Sequence, residues 1–285
     1  MEYYDERTLR RLQLVVLEIL DAVSGVCEKH GIRWFLDSGT ALGAVRHQGF
    51  IPWDDDVDVG MLREDYDRFL EVAAKELPDG YSLHTPENTP HYSPFFAKVY
   101  KDGTRFWSKE VIESGCDQGI FVDIFPYDAL STDEDEQNRQ RREAARWVRT
   151  SYLYHSKSLI VPGSGFAGKV QRAGCFLAHY AMRVFVKEED IRAGFENACT
   201  VTVGTPGDDV VSLAYPYIGP FPREAFEHTG EAVFEGRLYP VPGDVEHYLT
   251  LMYGDAWNEL PPENERKNHA PLVLDFGDGK NVCES

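Results

Sequence analysis

Asp56 and Asp58 stand two residues apart in Asp54-Asp55-Asp56-Val57-Asp58-Val59. In an extended strand that spacing points both carboxylates to one face and sends Val57 and Val59 to the other, into a core. Consecutive carboxylates repel and need something to neutralise them. Two oxygen ligands side by side on a rigid element suit a hard divalent cation, with substrate phosphates completing its shell. Upstream, Asp37-Ser38-Gly39-Thr40 follows the apolar run Ile32–Leu36 and precedes a short helical pattern, Ala41 to Gln48. Gly39 and Thr40 at a helix start offer free amides and a hydroxyl, a seat for a phosphate. A cation seat beside an anion seat implies phosphoryl-transfer chemistry on a nucleotide-like donor. Each piece alone has a plainer reading, because acid runs are usually solvated loops and Gly-Thr turns are common. The succession of strand, Gly-Thr turn, short helix and alternating carboxylates is what favours a site.

Further along, Gly119–Pro126 reads as a buried strand with one carboxylate in it, Asp123, between Val122 and Ile124. A lone Asp in so apolar a run must be paired, metal-bound or hydrogen-bonded. An Asp at a strand end bonding turn amides competes with a ligand here, and the residues alone leave both readings open.

The stretch GTALGAVRHQGFIPWDDDVDVGMLREDY, residues 39–66, resembles the signature of the LicD family, and Val122-Asp123-Ile124-Phe125-Pro126 resembles the element carrying that family's third carboxylate. The order FEGRLYPVP, YLTLMYGD, LPPE and His269 continues the likeness over most of the chain; it is weakest at about 133–207. The resemblance implies an α+β, nucleotidyltransferase-like fold, with a mixed β-sheet core flanked by helices and a helical insertion. It implies Mg²⁺-dependent transfer of phosphocholine, or a similar phospho-alcohol, from CDP-choline or another CDP-alcohol. The acceptor is a hydroxyl of a cell-surface glycan or its precursor, such as lipopolysaccharide or teichoic acid, and CMP is released. Asp56, Asp58 and Asp123 become the catalytic triad holding Mg²⁺, or Mn²⁺, with Asp123 also placed to take the acceptor's proton. Gly39, Thr40, Arg46, His47, Lys98 and His269 become donor-binding residues, with Arg266 a weaker one. Asp54 and Asp55 shape the turn or support the ligands. Trp53, Tyr215, Tyr217 and Trp257 are candidates for a quaternary-ammonium cage, although any one of them fits a core as well. Two alternatives remain: nucleotidyl transfer to a small molecule, and a non-catalytic acidic module binding Ca²⁺ or a partner.

The elements that must position these groups follow from periodicity. Leu9, Leu12, Val16, Ile19, Val23 and Val26 make Glu6 to His30 an amphipathic helix stopped by Gly31. Ile32 to Leu36 reads as a strand and Arg63 to Glu76 as a helix. Tyr81 to Leu83, Phe95 to Tyr100 and Thr104 to Trp107 are strands, the last two joined by a hairpin signal at Lys101-Asp102-Gly103. Ser131 to Ser158, Phe166 to Val186 and Glu188 to Thr200 are helical, and Asp244 caps a helix through Met252. Three parts result: a core over 1–130, a helical subdomain over 131–203, and a segment over 204–285 packing back on the core; the resemblance implies that the first is catalytic and that the second, where the likeness is weakest, sets acceptor specificity.

The chain has 285 residues and a net charge of −19, against general nucleic-acid binding and against adhesion to an anionic membrane surface. Five scattered cysteines form no CxxC pair, so neither zinc nor a disulfide framework is indicated. The start is charged and lacks a signal-peptide core, and Lys169, Arg172 and Arg183 interrupt the most apolar segment. No transmembrane segment and a cytoplasmic location are the expectations.

Overall fold

The structure, a computed structural model, describes residues 5–157, 165–215 and 218–283, with the backbone alone over 165–172. Helix α1 (Glu6–His30) is capped by Asp5, whose carboxylate accepts from the Arg7 and Thr8 amides, and ends at Gly31 with φ 59°. There follow β1 (Phe35–Leu36), α2 (Ser38–His47), β2 (Asp58–Leu62), α3 (Arg63–Glu76) and β3 (Tyr81–His84). Next come β4 (Ala97–Lys101), β5 (Arg105–Trp107), α4 (Lys109–Ser114) and the long β6 (Ile120–Ser131). The helices α5 (Glu134–His155), α6 (Gly165–Phe185) and α7 (Glu188–Cys199) come after it. The last part holds β7 (Pro206–Val211), β8 (Phe221–Pro222), α8 (Glu224–Glu227), β9 (Gly230–Phe234), β10 (Arg237–Val241), α9 (Val245–Tyr253) and β11 (Val273–Asp275).

The architecture is α+β around a mixed sheet in the order β1-β2-β6-β4-β3, with β7 on the far half of β6 and β8 on β7. Only the β2–β6 pair among the described strands is parallel; the other pairs are antiparallel. Helices α1 and α3 cover the sheet, and their apolar stripes are buried: Leu12, Val16, Ile19 and Val23 from α1, Tyr66, Phe69 and Ala73 from α3. Helix α5 rests on β6, and α6 and α7 rest on α5. The β9–β10 hairpin and α9 pack against β1 and α2, and Phe226 of α8 stacks on Phe35 of β1 with ring centroids 4.3 Å apart.

Several expected elements shift. Helix α2 begins at Ser38 rather than Ala41, because Asp37 caps it. The strand carrying the carboxylates begins at Asp58, so Asp56 precedes it in irregular chain. The hairpin expected between β4 and β5 does not form. The chain does turn there, Thr104 N donating to Lys101 O at 3.4 Å, but β5 pairs with β11 instead. Both edges of β4 are already taken, by β3 and β6, so β5 must find a partner elsewhere.

Register across the sheet places the chemistry. Asp37 N donates to Asp58 O at 2.9 Å, Asp58 lies opposite Asp123, Asp123 opposite Lys98, and Lys98 opposite His84. Residues opposite one another on neighbouring strands project to the same face. One row of the sheet therefore carries Asp58, Asp123 and Lys98 side by side.

Candidate active site

This row lines a cavity of about 900 Å³, whose wall also includes Asp37, Gly39, Asp54, Asp56 and His269. At its centre Lys98 and Asp123 are buried and form an ion pair. The Lys98 ammonium also lies 3.5 Å from the centroid of the Phe121 ring, so its positive charge has both a carboxylate and a π face. Burial pushes the Asp123 carboxyl up to about 6, with Lys98 holding it down against that trend. Asp58 is pushed well above the usual carboxylate range, first by burial and then by Asp56, Asp123, Asp37 and Asp54 around it. Thr40 Oγ1 accepts from the Asp58 amide at 2.9 Å and fixes where β2 begins.

The Asp54–Asp56 segment folds over the same cavity. Asp54 and Asp56 share a hydrogen bond, and burial raises both. The Asp54 carboxylate lies against Gly39, where an added Cβ would come within 3.2 Å of its Oδ2. Asp55 is buried and anchors the C-terminal part of the chain: it accepts from the His269 amide at 2.9 Å and approaches its Nδ1 at 3.2 Å. Asp56 Oδ2 is 3.3 Å from the same Nδ1. The hydrogen bond to Asp55 and the charge of Asp56 push the imidazole up to about 9, so it is protonated at neutral pH.

Asp37 completes the arrangement from below. Its carboxylate is buried and accepts from Tyr127 Oη at 3.0 Å, from Tyr248 Oη, and from the Ser38 amide at 2.7 Å. The Ser38 amide also reaches Tyr248 Oη at 3.0 Å. Ser38 sits at φ 47°, a left-handed conformation unfavourable for a residue with a Cβ. The two tyrosines and the capped carboxylate hold the turn in it, and with it Gly39 at the cavity wall.

The structure brings Gly39, Asp56, Asp58, Lys98, Asp123 and His269 to one cavity. Thr40 stands behind the wall as the support of β2. Arg46 and His47 are not on the wall: Arg46 donates to the carbonyls of Trp257 at 2.9 Å and Glu259 at 3.1 Å, and its Nε to His47 Nε2 at 3.0 Å. They sit in the last turn of α2 and tie down the loop after α9. Trp53 lies under the Arg266 guanidinium at 4.9 Å, and neither it nor Trp257 reaches the cavity; Tyr215 does, and Tyr217 lies outside the described residues. The aromatic wall is built instead by residues such as Tyr92, Phe96, Phe121, Phe125 and Tyr152. Sequence reasoning missed Asp37, whose only signal was an acid directly after the apolar pair Phe35-Leu36. It also missed Ser212, which is buried at the wall with its hydroxyl unpartnered among the described residues.

The donor set fits a hard cation. Asp37, Asp54, Asp56, Asp58 and Asp123 crowd one wall, and burial raises each of them. Protonation relieves that repulsion, and so would a divalent ion. Asp55, Asp56 and His269 also bring ligand atoms within 4.8 Å of one another, although the imidazole must first give up its proton to join.

These features define an α+β protein with an acidic cleft built on adjacent strand ends. A family model described as LicD/FKTN/FKRP, nucleotidyltransferase domain, matches residues 31–163, from before β1 to beyond α5. The chain is 32% identical over 275 residues to the lipopolysaccharide cholinephosphotransferase LicD of Haemophilus influenzae, covering 92% of this chain and 96% of that protein. It belongs to the LicD family. It is 36% identical over 169 residues to an uncharacterised protein of Rickettsia prowazekii, covering 52% of this chain and 61% of that one. Over 43 residues it is 54% identical to the human ribitol 5-phosphate transferase FKRP, 15% of this chain and 9% of that protein.

Proposed function

We propose that the chain is a phosphotransferase on a nucleotidyltransferase-like core, moving phosphocholine or a similar phospho-alcohol from a CDP-linked donor to a glycan hydroxyl. The observation that carries this reading is the Asp58–Asp123–Lys98 row facing a cavity large enough for a nucleotide. End-to-end similarity to a cholinephosphotransferase supports the choice of alcohol.

Asp56, Asp58 and Asp123 would hold Mg²⁺ or Mn²⁺, which when bound offsets charge on the donor phosphates and orients them. The Ser38 amide is taken by Asp37 and Tyr248, which leaves the Gly39 amide at the start of α2 to meet a phosphate, in a turn kept in place by Asp37, Tyr127 and Tyr248. His269 as an imidazolium, and Lys98 beside the row, present N–H donors to phosphate oxygens. Asp123, buried beside Lys98 on the row, is the carboxylate placed to accept a hydroxyl proton. The acceptor oxygen forms a bond to the phosphorus bearing the alcohol. The bond from that phosphorus to CMP breaks, CMP leaves, and the hydroxyl proton passes to Asp123. The unpartnered Ser212 hydroxyl is left to hydrogen-bond the acceptor. The helical segment over 131–203 selects that acceptor, and a cytoplasmic location goes with the reading.

A screen of CDP-alcohols tests it, with CMP measured in the presence of Mg²⁺ and of EDTA. Metal-dependent CMP release with CDP-choline is expected. Pyrophosphate release from a nucleoside triphosphate would point to nucleotidyl transfer, and no product from any donor to a binding module.

A further inference from the structure

We propose that α6 is a membrane-contact helix, whose exposed apolar face seats the protein on an anionic phospholipid surface. One side of α6 is fixed to α5: His179 is buried and its Nδ1 meets the Leu153 carbonyl at 2.8 Å, and Arg183 stacks over Tyr154. Beside that contact the helix faces water with large apolar groups. Phe176, Tyr180 and Val184 follow at intervals of four, with Leu177 beside them, and Leu177 and Val184 are 69% and 74% exposed. Phe185 at the end of the helix extends the patch. A contiguous apolar face of this kind on one helix marks a contact surface rather than ordinary surface scatter.

Charge selects the occupant. The 21 residues of α6 contain no Asp or Glu, in a chain that has 48. Arg183 is exposed at the border of the apolar face, and the exposed Lys157 and Lys187 flank the helix. The sign reverses at α7, whose first turn is Glu188, Glu189 and Asp190, and the patch ends there. A net charge of −19 argues against adhesion by the surface at large; α6 is the place where that argument is locally reversed. A second copy of the chain would set two acid-free, cation-bearing helices against each other, which an anionic lipid surface does not. No helix among the described residues is long and apolar enough to cross a bilayer, so α6 lies in the interface instead of spanning. Its partner helix α5 contributes Tyr152 to the cavity wall, so a seat on α6 brings the cleft close to the membrane.

The test is co-sedimentation of the full chain with vesicles of phosphatidylcholine alone and of phosphatidylcholine with about one-third phosphatidylglycerol. Binding to the anionic vesicles is expected, weakened by salt. The double variant Leu177→Glu/Val184→Glu should lower the partition coefficient about tenfold or more while the melting temperature stays unchanged. Phe176→Ser/Tyr180→Ser is the second variant, should the first melt early. Wild-type protein that sediments with neither vesicle overturns the proposal, as does binding that survives both variants. A concentration-dependent dimer in light scattering that the variants abolish, without vesicle binding, assigns the face to a second copy and overturns it too.

Discussion

Lys98→Met is the sharpest test of the electrostatics at the floor of the cleft. Among the described residues Lys98 supplies the one ion pair of Asp123, and both side chains are buried. Methionine keeps most of the volume and the contact with Phe121 but removes the charge. Breaking a buried pair from one side costs about 3–5 kcal/mol, because the remaining charge stays uncompensated. At roughly 2 °C per kcal/mol for a chain of this size, the melting temperature should drop by about 6–10 °C near neutral pH. The pair exists only while Asp123 is ionised. With its carboxyl at about 6, the penalty is largest near pH 8 and shrinks below about pH 5, where Asp123 is protonated with or without Lys98. The assay is urea unfolding of wild type and variant in EDTA at those two pH values. A loss under about 1 kcal/mol at the higher pH, or the same loss at both, refutes the assignment of Lys98 as the counter-ion of Asp123.

The metal-free wild type should itself lose stability as pH rises. Asp123 moves from 3.8 to about 6 on folding, so the native state holds a proton that the unfolded chain has released. That contribution, about 3 kcal/mol, is fully present below the unfolded value and gone above about pH 6. Calorimetry in EDTA should show the decline and Mg²⁺ should flatten it; an unchanged curve with Mg²⁺ argues against a cation site. Asp123→Asn should keep measurable CDP-donor affinity with Mg²⁺ while losing about a hundred- to ten-thousandfold in turnover, and Asp58→Asn should lose both. Titration calorimetry separates the two, and wild-type turnover by Asp123→Asn would overturn the triad. Tyr248→Phe removes a donor to the buried Asp37 carboxylate and should cost about 1.5–3 kcal/mol in denaturant unfolding. A cost near zero would show that Tyr127 and the Ser38 amide suffice. CDP-choline should bind roughly five- to thirtyfold more tightly than CDP-glycerol through the aromatic wall, measured by competition, and equal affinity would favour a neutral alcohol.

The residues legible in the sequence are those whose surroundings are local. Asp58 announces itself through alternation with Val57 and Val59, and Asp123 through the apolar run around it. The cap of α9 at Asp244 and the stop of α1 at Gly31 are likewise encoded within a few residues. Asp37 was opaque because its partners, Tyr127 and Tyr248, lie 90 and 211 residues away, and no local pattern marks a tyrosine as the keeper of a distant carboxylate. Arg46 belongs to the family stretch, yet which way a helix-end arginine turns is decided by a loop beyond residue 254. The hairpin at Lys101–Gly103 misled for a related reason. Turn chemistry reports that the chain reverses there, not whether the preceding strand has a free edge. The aromatic wall follows the same rule, since Trp53 found a guanidinium while residues scattered from Tyr92 to Tyr215 converged on the cavity.

His269 meets Asp55 across 214 residues, and β11 follows it immediately. At ordinary rates of synthesis the ribosome needs roughly ten to forty seconds to travel from one to the other. Throughout that interval the acidic strand ends stand open to water, with their charges hydrated and no imidazolium laid over them. A chain halted before residue 269 could pair β2 with β6 and still lack the His269 side of the cavity wall. The fold thus carries its own timing: residues around 269 close over residues around 55 that were made long before them, and the acidic wall is complete only once that contact forms.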